Sequence, residues 1–305
     1  MNFAAPHDSV QGSQLLSRIA LLRVDEIDQF VRDNPGAIAA LIGKPPQARD
    51  VVVWWSTMPS DARNELRAAS PELVGNLVGI PYQIRDLANR SVLSSTMSEL
   101  ESTISTQLGR ASTEKARLQL AMLQSISNAL GSNAVGPNTT IQDARAANTP
   151  TAGQWAQPGA AKRSLLSLDV TGQGKAAIAV GNLNDADYVT YMVPGMFFTI
   201  EGQMVYWTDA AARLRDEQLS WLALYGDTTS TVATVAWIGY HTPNLTNVGS
   251  LENAEEARDS LARSIEGLQT LRAGHEPYIT VIGHSYGSTA ALMALTEYDF
   301  EVDAL

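Results

Sequence analysis

The segment Gly283-His284-Ser285-Tyr286-Gly287 contains the residue types and spacing best suited to chemistry in this sequence. It has the pattern G-x-S-x-G, and it lies between an apolar run, YITVI, and a helix-forming run, STAALMALTEY. A serine on a sharp strand-to-helix turn presents its hydroxyl above the edge of an α/β sheet, where it can attack a carbonyl carbon. We therefore predict that Ser285 is a catalytic nucleophile. The alternative is a serine that only caps the following helix.

Attack on a carbonyl group also requires hydrogen-bond donors for the negative charge that develops on its oxygen. The backbone N–H of Tyr286, directly after the serine, is one candidate donor. The other is the N–H of Met196 in the segment VPGMF, which follows the strand-like run DYVTYM, and Gly195 would let the chain turn there. The sequence thus predicts an oxyanion site formed by the N–H groups of Tyr286 and Met196, on a loop shaped by Gly195.

The elements that must position these residues alternate along the second half of the chain. SLLSLDV and KAAIAV surround the turn TGQG and predict a hairpin. Strand-like runs then alternate with helical ones: DYVTYMV, TDAAARLRDEQLSWLALYG with Thr208 as its cap, TVATVAWIGY, NAEEARDSLARSIEGLQTLRAG and YITVIG. Such alternation predicts an α/β domain over residues 163–305, with a mostly parallel sheet covered by helices on both faces.

The first part of the chain has a different character. Residues 1–130 show helical periodicity broken by proline and glycine, including one long helical pattern from Ser91 to about Leu130. This long pattern predicts a helix laid on its own domain, and the alternative is a helix that binds a partner protein. Residues 131–162 are rich in Gly, Ala, Asn, Thr and Pro without periodicity, which predicts a linker or a long surface loop.

Composition excludes several classes of function. The net charge of −11 disfavours nucleic acid and anionic membrane surfaces as partners. The sequence has no cysteine, and its four histidines lack metal-ligand spacing, so we expect no metal site. No cofactor fingerprint is present, and the fragment GQGK lacks the spacing of a phosphate loop. We find neither a signal peptide nor an apolar run of membrane-spanning length. We therefore expect a cytoplasmic protein, with export by a route that needs no N-terminal signal as the alternative.

The sequence resembles the actinobacterial α/β-hydrolase family of the DUF1023 type. The resemblance covers most of the chain from about residue 51 onward. The runs that carry it are VVVWWSTMPSDARNELRAASPELVGNLVGIPYQIRDLANR, LLSLD, AAIAVGN, YVTYMVPGM, VAWIGYHTP and VIGHSYGSTA. The resemblance implies an α/β-hydrolase sheet behind a helical N-terminal region. It also implies a serine nucleophile at Ser285 and an oxyanion loop at Gly195 and Met196.

Two departures from the family pattern bear on function. His241 stands where an acidic residue is expected after the tyrosine of WIGYHTP, so we predict that it lies on the rim of the substrate site or in a neighbouring loop. In α/β-hydrolases an acid and a histidine follow the serine along the chain, but only 20 residues follow Ser285 and none is histidine. We therefore expect the sheet to be incomplete at the C-terminus, with both triad partners in a segment absent from this sequence.

These observations favour a serine hydrolase that acts on a small-molecule acyl ester without a cofactor. One alternative is a non-catalytic interaction protein that uses the hydrolase fold as a scaffold and the helical N-terminal region as a binding surface. A further alternative is an unorthodox site in which His241 serves as the base for Ser285.

Overall fold

The chain forms a helical N-terminal region followed by a five-stranded, largely parallel sheet, in a computed structural model that describes residues 7–106, 109–131 and 161–305. The helices in these ranges are α1 (His7–Ala20), α2 (Val24–Asp33), α3 (Pro35–Gly43), α4 (Ala48–Thr57), α5 (Ser60–Ala69), α6 (Pro71–Asn76), α7 (Tyr82–Ser105), α8 (Arg110–Leu130), α9 (Ile200–Leu224), α10 (Glu252–Leu271) and α11 (Tyr286–Glu297). The strands are β1 (Arg163–Asp169), β2 (Lys175–Val180), β3 (Tyr188–Val193), β4 (Val232–Ile238) and β5 (Tyr278–Gly283).

The sheet has the strand order β1-β2-β4-β3-β5. β2 runs antiparallel to both β1 and β4, whereas β3 pairs in parallel with β4 and β5. The predicted hairpin and the predicted α/β fold are therefore confirmed. Because β1, β3, β4 and β5 share one direction, their carboxyl ends lie at the same edge of the sheet, beside the start of β2.

The long helical pattern predicted from Ser91 to Leu130 is not one helix. It forms the second part of α7 and the whole of α8, with Gly109 at a φ of 114° just before α8. Both helices pack their apolar faces on one face of the sheet, so the prediction that this stretch lies on its own domain is correct. The buried residues shared between the two helices and the sheet include Val92, Leu93, Met122, Leu123, Ile126, Leu165, Ile178 and Met192.

Helix α9 covers the same face of the sheet as α7 and α8, and it begins eight residues earlier than the predicted cap at Thr208. Its N-cap is Thr199, whose Oγ1 accepts a hydrogen bond from the Gly202 N–H at 3.1 Å. Thr208 lies inside the helix and is fully buried. Helices α10 and α11 cover the opposite face, around a core that contains Tyr191 and Trp237.

Polar side chains of α6 and α7 cover the free edge of β1. Asp86 Oδ1 accepts the Leu165 N–H at 2.6 Å, and Asn89 Nδ2 donates to the Leu165 carbonyl at 3.0 Å. Asn76 Nδ2 donates to the Leu168 carbonyl at 2.9 Å, and Asn76 Oδ1 accepts the Leu168 N–H at 3.0 Å. These bonds give partners to the N–H and carbonyl groups of an edge strand, which would otherwise have no partner within the sheet.

The predicted division into regions 1–130, 131–162 and 163–305 stays a prediction. α7 and α8 share a core with the sheet, although they fall within the first predicted region. The predicted linker falls mostly on residues 132–160, which lie outside the described residues.

At the opposite edge of the sheet, β5 forms a parallel bridge between Thr280 and Ala304, and the Val281 N–H donates to the Ala304 carbonyl at 2.9 Å.

Candidate active site

Ser285 occupies the sharp turn between β5 and α11. Its backbone has a φ of 54° and a ψ of −123°, a left-handed conformation that L-residues other than glycine rarely adopt. The side chain is exposed at the carboxyl edge of the sheet. A strained non-glycine residue at a strand-to-helix turn is the geometry of a nucleophile elbow.

The turn is tight because glycines lie where β5, α11 and the end of β3 meet. A Cβ atom at Gly287 would stand 2.4 Å from the Pro194 carbonyl oxygen, and one at Gly283 would stand 2.7 Å from the Ser288 Cα atom. The His284 N–H donates to the Val193 carbonyl at 2.9 Å and ties the turn to the neighbouring strand. Only glycine at these two positions allows the backbones to approach so closely.

The loop after β3, which we call the β3 loop (residues 194–199), packs directly on the serine. A Cβ atom at Gly195 would lie 2.8 Å from both the Ser285 Cβ atom and the His284 carbonyl oxygen. Met196 follows and is partly exposed, and Phe197 has a φ of 63° and is 50% exposed. The structure thus brings the sequence-predicted Gly195 and Met196 to the side of Ser285.

The N–H groups of Tyr286 and Met196 are the donors that the sequence predicts for an oxyanion site. Within the described ranges, neither group donates a hydrogen bond to a protein acceptor. Tyr286 is the first residue of α11, so its N–H also lies at the positive end of the helix dipole. Both N–H groups therefore belong to segments that contact or adjoin the exposed Ser285.

The side chain of Tyr286 has a separate, structural role. Its hydroxyl donates to the Ser250 carbonyl at 2.6 Å and accepts the Ala254 N–H at 3.2 Å. Burial raises the pKa of this hydroxyl, and the hydrogen bond from Ala254 opposes that rise. These contacts fasten α11 to the start of α10.

The loop after β4, which we call the β4 loop (residues 239–251), holds the β3 loop through three hydrogen bonds. The buried Tyr240 hydroxyl donates to the Pro194 carbonyl at 2.7 Å. The Phe197 N–H donates to the Pro243 carbonyl at 3.0 Å, and the Thr242 hydroxyl donates to the Phe198 carbonyl at 2.7 Å. Met196 lies between these attachment points.

His241 lies in the β4 loop at the same edge of the sheet, and its ring pairs with Glu256 of α10. The Nδ1 atom is 3.0 and 3.1 Å from the two carboxylate oxygens of Glu256, and the His241 N–H donates to the same carboxylate at 3.1 Å. Among the described residues, no hydrogen bond joins His241 to Ser285. The predicted position of His241 at the rim of the site stays compatible with this geometry.

Glu256 also forms an ion pair with Lys175 at the start of β2, with Nζ and Oε1 3.0 Å apart. Burial alone would raise the pKa of Glu256. The hydrogen bond from the His241 N–H and the Lys175 ammonium outweigh it, so that the pKa lies below its usual value. Neither residue is singled out by type or spacing: Glu256 is one of several acidic residues in ENAEEARD, and Lys175 follows the turn TGQG.

The described ranges contain no group of three or more His, Cys, Asp or Glu side chains arranged to hold a metal ion. Among the helices in those ranges, none combines the length and the apolar character needed to cross a membrane.

Comparison with known proteins agrees with this geometry. A protein-family model described as "Alpha/beta hydrolase" matches residues 169–305, which include strands β2–β5 and the serine turn. An uncharacterized protein of Mycobacterium tuberculosis (strain ATCC 25618 / H37Rv) is 28% identical over 263 residues, and the match covers 79% of this chain and 36% of the relative.

Two further uncharacterized proteins, one from the same strain and one from Mycobacterium bovis (strain ATCC BAA-935 / AF2122/97), are each 31% identical over 145 residues. These matches cover 44% of this chain and 52% of each relative. The chain therefore spans little more than a third of the first relative and about half of the other two. No solved structure gives a significant match.

Proposed function

Residues 169–305 belong to the α/β-hydrolase family, and on this premise we propose that the protein is a serine hydrolase that cleaves an acyl ester through Ser285. The observation that carries the proposal is the strained, exposed backbone of Ser285, with a φ of 54° at the junction of β5 and α11. A conformation of this kind persists only where surrounding packing enforces it, and such strain concentrates at functional sites.

The proposed reaction follows the two-step course of acyl transfer. The Ser285 hydroxyl oxygen attacks the ester carbonyl while its proton passes to a base, and the N–H groups of Tyr286 and Met196 bind the resulting oxyanion. Collapse of this intermediate breaks the ester C–O bond, and the base returns the proton to the departing alcohol. Water then attacks the acyl-serine in the same way and releases the carboxylic acid.

We propose that the base is a histidine oriented by an acidic residue, and that both come from outside this sequence. In α/β-hydrolases these residues follow the nucleophile along the chain. The first relative is considerably longer than this chain, which spans only 36% of it. His241 is the alternative base. Its Nδ1 atom pairs with Glu256 as the histidine of a triad pairs with its acid, so loss of activity in a folded His241→Ala variant would favour that alternative.

Exposed apolar side chains in the loops at the carboxyl edge of the sheet favour an ester with an apolar portion. Phe197 in the β3 loop is 50% exposed, and Leu245 and Leu251 in the β4 loop are 76% and 56% exposed. All three follow parallel strands at the edge where Ser285 lies. Contact with an acyl chain would remove this apolar surface from water.

The competing role, a protein-binding surface on the helical region, has less support. The apolar faces of α7 and α8 are already buried against the sheet. A helix needs a free apolar face to bind a partner through a groove.

Hydrolysis of p-nitrophenyl butyrate by the protein in its natural length tests the proposal. We expect Ser285→Ala to lower kcat/KM by about a thousandfold or more, because the nucleophile is lost. Ser288→Ala is the matched control, since its hydroxyl lies one helical turn away and donates to the Ser285 carbonyl at 2.5 Å. An unchanged rate in Ser285→Ala would contradict the proposal.

A further inference from the structure

A continuous chain of polar contacts runs from the start of β2 to the β3 loop. Lys175 binds the Glu256 carboxylate, which in turn binds the N–H and the ring of His241. The next two residues of the β4 loop, Thr242 and Pro243, hold the β3 loop at Phe198 and Phe197.

Glu256 does not act alone on His241. Asn253 Nδ2 donates to the His241 carbonyl at 2.5 Å, while Glu256 accepts the N–H of the same residue. Asn253 and Glu256 are three residues apart on α10, so both side chains lie on one face of the helix. The two side chains together fix both backbone polar groups of His241.

We infer that Glu256 is a positioning residue for the oxyanion site, because it holds the segment of the β4 loop that fixes Phe197 and Phe198 beside Met196. The inference rests on the proposed function, in which the Met196 N–H binds the oxyanion. Glu256 acts through the two loops and does not touch the substrate. No residue type or spacing in the sequence assigns it this role.

The size of the effect follows from the geometry of an oxyanion site. Its donors work only when they point at the place where the charge develops, and a displacement of about 1 Å can cost about a hundredfold in rate. Loss of the Glu256 carboxylate leaves the His241 N–H and the Lys175 ammonium without their shared acceptor. The β4 loop keeps its hydrogen bonds to Asn253 but loses those to Glu256, and the β3 loop that it holds shifts with it.

Hydrogen exchange tests the positioning directly, without any requirement for activity. The Phe197 N–H is bonded to the Pro243 carbonyl, so its exchange reports the contact between the two loops. We expect Glu256→Ala to speed exchange at Phe197 by about tenfold or more. Glu255→Ala is the matched control, because it removes an exposed carboxylate from the adjacent position of α10. Equal exchange rates in wild type and Glu256→Ala would overturn the inference.

Kinetics supply the second test, on the protein in its natural length with p-nitrophenyl butyrate. We expect Glu256→Ala, which removes the acceptor of the His241 N–H, to lower kcat by about tenfold to a hundredfold with little change in KM. Glu256→Gln keeps an amide oxygen that can accept this hydrogen bond, so we expect a smaller loss. A merely structural loss would reduce the amount of active protein, and titration of active sites with a fluorophosphonate corrects for it. An unchanged kcat in Glu256→Ala would overturn the inference and leave the proposed function standing. If Ser285→Ala kept the wild-type rate, the proposed function would fail and the catalytic part of this inference would fail with it.

Discussion

Gly195 and Ser285 pack so closely that a methyl group at position 195 would stand 2.8 Å from the Ser285 Cβ atom. The same methyl group would also stand 2.8 Å from the His284 carbonyl oxygen. Since the next residue of the loop is Met196, this contact sets where the Met196 N–H lies relative to the serine. The β3 loop and the serine turn are therefore in direct contact, although about 90 residues separate them in sequence.

The contact predicts the effect of Gly195→Ala. We expect kcat/KM for an ester to fall by about a hundredfold, because the added methyl group pushes the β3 loop away from the serine. The control is Gly249→Ala in the β4 loop, where an added Cβ atom meets nothing within 4 Å. Full activity in Gly195→Ala would show that the loop can shift without cost.

The contacts of Asp86 predict a large contribution of this residue to the free energy of unfolding. It forms a buried ion pair with Arg90, with Nε and Oδ1 2.8 Å apart, and also accepts the Leu165 N–H of β1. We expect Asp86→Ala to lower the free energy of unfolding in urea by about 3 to 5 kcal/mol, because both partners stay buried. For the exposed ion pair of Asp28 with Arg32, Asp28→Ala should cost less than about 1 kcal/mol. Equal losses in the two variants would contradict this reasoning.

The lowered pKa of Glu256 predicts a pH dependence of stability. A carboxyl group whose pKa is lower in the folded state stabilises that state above its unfolded pKa, which is about 4.3 for glutamate. This contribution is lost as the pH falls through the folded-state pKa. We therefore expect the free energy of unfolding of wild type to exceed that of Glu256→Gln at neutral pH, and the difference to shrink below about pH 4.

The matched variant for this measurement is Glu255→Gln, which corrects for the loss of one negative charge near the start of α10. A difference between wild type and Glu256→Gln that grew as the pH fell would contradict the assigned direction of the pKa shift.

The backbone conformation of Phe197 predicts that glycine and alanine at this position differ in their effect on stability. Its φ of 63° costs a non-glycine residue about 1 to 2 kcal/mol, and its ring is half exposed. Phe197→Gly and Phe197→Ala both remove the ring, but only glycine relieves the backbone. We expect the glycine variant to be more stable by about 1 kcal/mol in urea unfolding. An alanine variant of equal or greater stability would indicate that the backbone there is not strained.

The sequence predicted the elements around the serine because their signals are local. Strands β4 and β5 are short apolar runs, and the glycines of the serine turn mark the change from strand to helix. The α9 boundary was wrong because the first turns of that helix, IEGQMVYW, contain glycine and residues that favour strands. Thr199 is the true cap, and Thr208 is held inside the helix by burial against the sheet.

The contacts of the β3 and β4 loops could not be predicted from the sequence, because they depend on which side of α10 faces the β4 loop. Glu255 and Glu256 are identical in type and adjacent, and only the packing of α10 decides which of them faces His241. The split of the long helical pattern into α7 and α8 has a similar cause. The apolar spacing continues from Met97 to Ile126 on both sides of the break, and only the packing of both helices on the sheet shows that they are separate.

The central claim is that Ser285 is the nucleophile, and covalent labelling tests it most directly. The measurement is the mass-spectrometric mapping of the residue that a fluorophosphonate modifies in the protein in its natural length. We predict a single adduct on Ser285, absent from Ser285→Ala and retained in Ser288→Ala. An adduct on another residue, or a protein that the reagent leaves unmodified, would contradict the claim.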